Sequence, residues 1–137
     1  MLFDNLFIKR KYMSAKSKKQ FGVWMDSQHA TIVGREGSDD TDFVVLGHAK
    51  NEGVGSNSNE NKANNLEKTV LAKFFKEITS YMQNAEEVYV TGTGTAQEQF
   101  IKYLSETPQF KNTVAKESTS NKMDDTKLVT YITSHYN

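Results

Sequence analysis

The spacing of apolar residues along the chain changes period several times, and each change predicts an element. Residues 21–26 (FGVWMD) and 30–35 (ATIVGR) are short aromatic and β-branched runs separated by the polar break Ser27, Gln28 and His29, which predicts a hairpin. A polar, acidic turn over residues 37–42 leads to a third strand over residues 43–49 (FVVLGHA) of the same antiparallel meander. From residue 63 to 82 the period becomes helical. Ala63, Leu66, Val70, Leu71, Phe74, Phe75, Ile78 and Met82 fall on one face, while Glu67, Lys68, Lys73, Lys76 and Glu77 turn outward. Val88, Tyr89, Val90 and Thr91 favour a fourth strand, and Gly92 and Gly94 mark a tight turn. Thr95 followed by Glu98 predicts a capping box opening a helix whose inward face is Ala96, Phe100, Ile101 and Leu104. Pro108 stops that helix and pushes Thr107 out of helical geometry. A short strand over residues 112–116 follows, then a last helix capped by Asp124. Met123 and Leu128 form its hydrophobic staple, and Leu128, Val129 and Ile132 its inward face.

The order is therefore βββαβαβα. A strand feeding a helix through a tight turn is the half-unit of a parallel α/β sheet. The whole predicts an α/β fold of ribonuclease H-like type: a five-stranded mixed sheet with helices on both faces.

Between the third strand and the long helix lies NEGVGSNSNEN, residues 51–61, which has almost no apolar content and predicts an exposed loop. At 137 residues the chain is expected to be one domain over residues 20–137, preceded by a basic arm over residues 1–19. A chain of this size buries roughly two-thirds of its unfolded surface. The N-terminus has apolar residues ahead of its charges and no small-residue cleavage site, so it is expected to be a tail and not a signal peptide. Met13-Ser14 would make as natural a start as Met1. No apolar run has the length of a membrane span, and cysteine is absent, so no membrane partner is expected and the location is expected to be cytoplasmic.

The formal net charge of zero hides an asymmetry. Lys9, Arg10, Lys11, Lys16, Lys18 and Lys19 stand against Asp4 in the first 19 residues, leaving the arm at +5 and the body at −5. A basic arm on an acidic body suits a phosphate backbone, since each neutralised phosphate releases counterions; it is equally what a solvated tail looks like.

Chemical motifs are sparse. A ribonuclease H-like nuclease gathers carboxylates around two metal ions, and Asp26 at the end of the first strand is one candidate. The fourth strand ends in Thr91 and Gly92 where an acid is needed, so Asp26 is expected to be a turn residue and no metal is expected. Gly92, Thr93, Gly94 and Thr95 before a helix offer amides, hydroxyls and a positive dipole end to a phosphate or other anion, although glycine there also serves simply to turn the chain. The P-loop lysine and the full dinucleotide fingerprint are missing. His29, His48 and His135 have no partner at a catalytic spacing, Ser56, Ser58, Ser118 and Ser120 lie in no nucleophile elbow, and Trp24 and the phenylalanines are expected in the core. No catalytic residue and no cofactor are expected.

With the elements placed, FGVWMD, ATIVGR, KFFKEI, VYVTGTGTAQEQFIKYL and STSNKMDDTKLV together resemble the central domain of the archaeo-eukaryotic release factor and Pelota superfamily and its small bacterial relatives. In release factors the loop before the long helix carries a Gly-Gly-Gln tripeptide that promotes peptidyl-tRNA hydrolysis. Here that loop reads Gly53-Val54-Gly55-Ser56-Asn57, without the glutamine. The resemblance implies a stand-alone, non-catalytic domain that binds ribosome or tRNA, and not DNA. Lys9, Arg10, Lys11, Lys16, Lys18, Lys19, Gly53, Gly55, Ser56 and Asn57 are its expected RNA contacts. The alternatives are a nucleotide- or phosphate-binding enzyme or sensor using the Gly92–Thr95 turn, and a protein-interaction module.

Overall fold

The computed structural model describes residues 18–37, 42–52 and 71–136. Five strands, β1 (Lys18–Met25), β2 (His29–Gly37), β3 (Val44–Lys50), β4 (Glu87–Gly92) and β5 (Val114–Thr119), form one sheet in the order β3-β2-β1-β4-β5. The meander β1-β2-β3 is antiparallel, whereas β4 lies parallel to β1 and β5 parallel to β4. Helix α1, described over residues 71–80, precedes β4; α2 (Thr95–Glu106) and a 3-10 turn (Pro108–Phe110) connect β4 to β5; α3 (Asp125–Tyr136) follows β5. This is the mixed five-stranded α/β sheet that the pattern predicts, with the 3-10 turn added.

The alternation along β1 sorts the core into two layers. Phe21, Val23 and Met25 face Phe74, Phe75 and Ile78 of α1 and Ala96, Phe100 and Leu104 of α2. On the opposite face Trp24 and Val33 meet Leu128 and Ile132 of α3, with Phe43 beside them. Helices therefore cover both faces. The inward residues predicted for α2 and α3 are those that pack, Ile101 and Val129 at the margins. Thr107 is extended at φ −99° and ψ 117°, as the proline requires. Asp124 caps α3 through its Oδ1, which accepts the Lys127 amide at 2.8 Å, and Met123 and Leu128 join the same apolar cluster.

Three expectations need correction. Lys18 and Lys19 are not arm but the start of β1: they pair with Gly37 and Glu36 of β2, and the Lys19 carbonyl accepts the Glu86 amide at 3.0 Å. Backbone pairing overrides their polar side chains because a strand end exposes the side chains while its amides still need partners. The last strand runs over Val114–Thr119, not residues 112–116. It is an edge strand with no buried residue, so it lacks the apolar alternation by which strands are recognised. The register is set from outside it, by the Val114 amide on the Glu86 carbonyl at 2.9 Å and the Thr113 hydroxyl on the Ala85 carbonyl at 2.8 Å. The α2 cap also differs and is described below. The helical pattern over residues 63–70 lies outside the described residues.

Arg35, which the pattern leaves as a strand end, is buried at 5% exposure. Its guanidinium lies 4.5 Å from the centre of the Phe43 ring, and its Nε donates to Gln20 Oε1 at 2.8 Å; Gln20 Nε2 in turn donates to Glu87 Oε1 at 2.7 Å. Beside them the Tyr136 hydroxyl donates to the Phe21 carbonyl at 2.9 Å. Burial, and then the charge of Glu87, raise the Tyr136 phenol far above the ordinary tyrosine pKa. Folding thus favours the protonated phenol, a contribution complete below pH ~10 and lost as the unfolded chain ionises above it. Tyr136→Phe is expected to cost about 1 kcal/mol at neutral pH and to make the decline of stability in alkali shallower. Urea midpoints at neutral and alkaline pH measure both effects.

Candidate functional site

Strands β1, β4 and β5 run in one direction and end in register, with Met25 beside Gly92 and Gly92 beside Thr119. In open α/β sheets the carboxyl ends of parallel strands form the crevice in which ligands sit, so this rim is the candidate site. At β1 it carries the hairpin turn. Asp26 Oδ1 accepts the amides of Gln28 at 2.8 Å and His29 at 2.7 Å, the turn role expected of it. Asn51, buried at 7% exposure, is fastened to the same turn: its amide donates to the Gln28 carbonyl at 2.8 Å and its Nδ2 to the Ser27 carbonyl at 3.0 Å. The chain thus leaves the described residues at Glu52 directly from this rim. Gly53, Gly55, Ser56 and Asn57 lie outside the described residues, as do Lys9, Arg10, Lys11 and Lys16. Lys18 and Lys19 stand at the opposite end of β1, away from the rim.

At β4 the rim carries the Gly92–Thr95 turn. Here the expected Thr95–Glu98 capping box is displaced by one residue. The cap is Gly94, at φ 155° and ψ −110°, and Thr95 is the first helical residue. Gln97 makes the reach-back contact, its Oε1 accepting the Gly94 amide at 2.8 Å, while Glu98 is exposed. Only glycine adopts that backbone geometry without strain, which fixes the cap one residue earlier than threonine chemistry alone suggests. Gln97 is 1% exposed and also donates through Nε2 to the Ser118 carbonyl at 2.9 Å and the Thr119 Oγ1 at 3.3 Å, tying α2 to β5. One amide of the expected anion site is therefore already engaged. Thr93 and Thr95 are exposed.

Behind the rim runs a chain of hydroxyls that the sequence did not announce. Ser118 Oγ donates to Thr91 Oγ1 at 3.0 Å, and Thr91 Oγ1 donates to Ser120 Oγ at 2.7 Å. The Ser118 hydroxyl also lies 2.9 Å from the Tyr131 hydroxyl, a contact in which either oxygen can donate. Tyr89 lies edge-on to Tyr131 with ring centres 6.2 Å apart and stacks on His135 at 4.3 Å. Desolvation raises the Tyr89 pKa above its ordinary value. Gln97 was legible in principle, since it shares the row of Phe100, Ile101 and Leu104 on α2 and a polar residue there must find partners. The hydroxyl chain joins two strands and a helix, and no local spacing reports it. Among the described residues no group of three His, Asp or Glu side chains is placed to hold a metal ion, and no helix is long and apolar enough to cross a membrane.

The architecture can be set beside solved structures. The Pelota protein of Thermoplasma acidophilum superposes with a TM-score of 0.59 over 92% of this chain, at 18% identity. The chain shares its fold with Pelota. The Archaeoglobus fulgidus Pelota matches with a TM-score of 0.53 over 97% of the chain at 13% identity, and an archaeal translation termination factor with 0.52 over 85% at 14%. The resemblance to the release factor and Pelota superfamily thus holds at the level of fold. The chain spans little more than a third of these proteins, 35% and 39% of the two Pelota chains and 34% of the termination factor. No family model and no curated protein matches the chain in sequence.

Proposed function

We propose that the chain is a non-catalytic, translation-associated protein that binds ribosome or tRNA through its basic N-terminal residues and the loop that leaves the rim at Asn51. The observation carrying this reading is the fold shared with Pelota and a translation termination factor. The loop lacks the glutamine that release chemistry uses, which favours binding without hydrolysis. The fastening of Asn51 to the hairpin turn gives that loop a fixed root at the carboxyl ends of the parallel strands. A nucleotide or phosphate at the Gly92–Thr95 turn is the lesser reading, because the Gly94 amide is already engaged by Gln97.

Sedimentation of a cell lysate at low salt tests the reading: the protein is expected to comigrate with ribosomal particles, and migration as a free small protein would sink it. Removing residues 1–17 sharpens the test, because the cut falls just before β1 and spares its ladder with β2. The truncated chain is expected to fold. Its ribosome or tRNA affinity should fall, and the slope of log affinity against log salt should flatten by roughly 0.7 to 0.9 for each phosphate that the arm no longer neutralises. A slope identical to that of the full chain would show that the arm touches no phosphate.

A further inference from the structure

The two outer strands of the sheet are guarded differently. β5 carries Lys116 and Glu117 along an edge with no buried residue, and charged side chains of this kind keep an edge from pairing with another chain. β3 carries no charge between Asp42 and Lys50 other than His48 when protonated. The large apolar side chains exposed among the described residues are Val44, Val45, Leu46 and Val114, so all but the last are consecutive on β3. Val44 pairs with Gly34 and Val45 with Val33, whereas Leu46 is the extra residue of a bulge, since the next pair joins Gly47 to Ile32. Val44 and Leu46 line a groove of about 480 Å3 together with Phe21 and Tyr81, on the α1 side of the sheet. Val45 shares the α3 side with Val33, because opposed residues of paired strands lie on one face.

We propose that β3 is the interface of a homodimer in which the strands of two copies pair antiparallel about Val45. In that register the exposed residues complete one another. Val44 lies beside Leu46 of the second copy on the groove side, Leu46 lies beside its Val44, and the two Val45 side chains meet on the other face. Each apolar side chain thus leaves water against another, while the unpaired backbone groups of each edge find partners. The strand ends agree in charge. Asp42 of one copy runs alongside the end of the other that carries His48 and Lys50, whereas parallel strands would set Asp42 against Asp42 and Lys50 against Lys50. Such a contact is isologous and uses up both β3 edges, leaving the charged β5 edges outside, so assembly closes at the dimer. A formal net charge of zero sets no long-range repulsion between the copies. The bulge at Leu46 increases the local twist without placing a charge on the edge. This inference is independent of the translation reading.

Sedimentation equilibrium of the full chain over a micromolar concentration series is expected to show a reversible dimer. Val45→Lys sets two lysines opposite each other and is expected to raise the dissociation constant about tenfold or more. The same change on the other edge, Val114→Lys, is expected to leave it at the wild-type value. Because the chain has no cysteine, Val45→Cys supplies a second readout. Opposed residues of antiparallel strands have Cα atoms about 4.5 to 5.5 Å apart, within disulfide reach. Mild oxidation of Val45→Cys is therefore expected to give a covalent dimer, and oxidation of Val114→Cys is not. This readout decides the matter if Val45→Lys fails to fold. A full chain that stays monomeric overturns the proposal, as does a dimer that survives Val45→Lys or in which Val45→Cys yields no disulfide. A dimer seen only after residues 1–17 are removed overturns it as well, since the chain's own N-terminal residues would then hold the edge.

Discussion

Replacing Gly92 with alanine is expected to cost at least about 3 kcal/mol, the upper end of what overpacking does, and to unseat the start of α2. An added Cβ would stand 2.0 Å from the Met25 carbonyl oxygen and 2.7 Å from Gln97 Oε1. The first of these is backbone held in the β1–β4 ladder, so it has no rotamer by which to move aside. Gly94, two residues on, makes a useful contrast. Nothing lies within 4 Å of the position its Cβ would take, but its φ of 155° is one that side chains rarely adopt. Alanine there is expected to cost about 1 to 3 kcal/mol through backbone strain alone. Urea unfolding of the two variants separates the causes. A Gly92→Ala midpoint equal to that of the wild type would mean that β1 and β4 part without resistance at their carboxyl ends.

Gln97→Leu is expected to cost about 2 kcal/mol, because it removes the hydrogen-bond partner of the half-buried Gly94 amide and of the Ser118 carbonyl. Leucine has nearly the same volume, so the loss is of hydrogen bonds and not of packing. Gln97→Glu distinguishes the two ends of the side chain. A carboxylate still accepts from Gly94 but cannot donate to Ser118, whereas the protonated acid can do both. Burial raises the pKa of such a group in the folded chain. The glutamate variant should therefore be most stable in acid and lose stability as pH rises through that folded value. Chemical denaturation at two pH values reads the effect, and a variant equally stable at both would show that the hydrogen bond to Ser118 contributes nothing.

The fold was legible wherever burial leaves a pattern in the residues. β1 shows as an unbroken apolar and aromatic run because helices cover both of its faces, and α2 repeats Ala96, Phe100 and Leu104 because one stripe of it is buried. The site was legible only in part. Asp26 and Asp124 were found because a short acid beside free backbone amides has a local task, and both perform it. The Thr95–Glu98 box was misplaced by one residue, since local capping chemistry carries no information about which glycine conformation the strand above imposes.

Near-neighbour interactions and composition suffice for the strand and helix inventory, the stop at Pro108, the inward faces of α2 and α3 and the charge contrast between the basic N-terminus and the acidic body. All of these can be read along the chain. The folded chain was needed to show that β1 begins at Lys18, that β5 ends at Thr119, and that Arg35 and Gln97 are buried with partners from distant segments. Folding alone joins Thr91, Ser118, Ser120 and Tyr131 into one hydroxyl chain. An edge strand and a buried polar side chain are each defined by what lies across from them, and in this fold that is a segment far away in the chain.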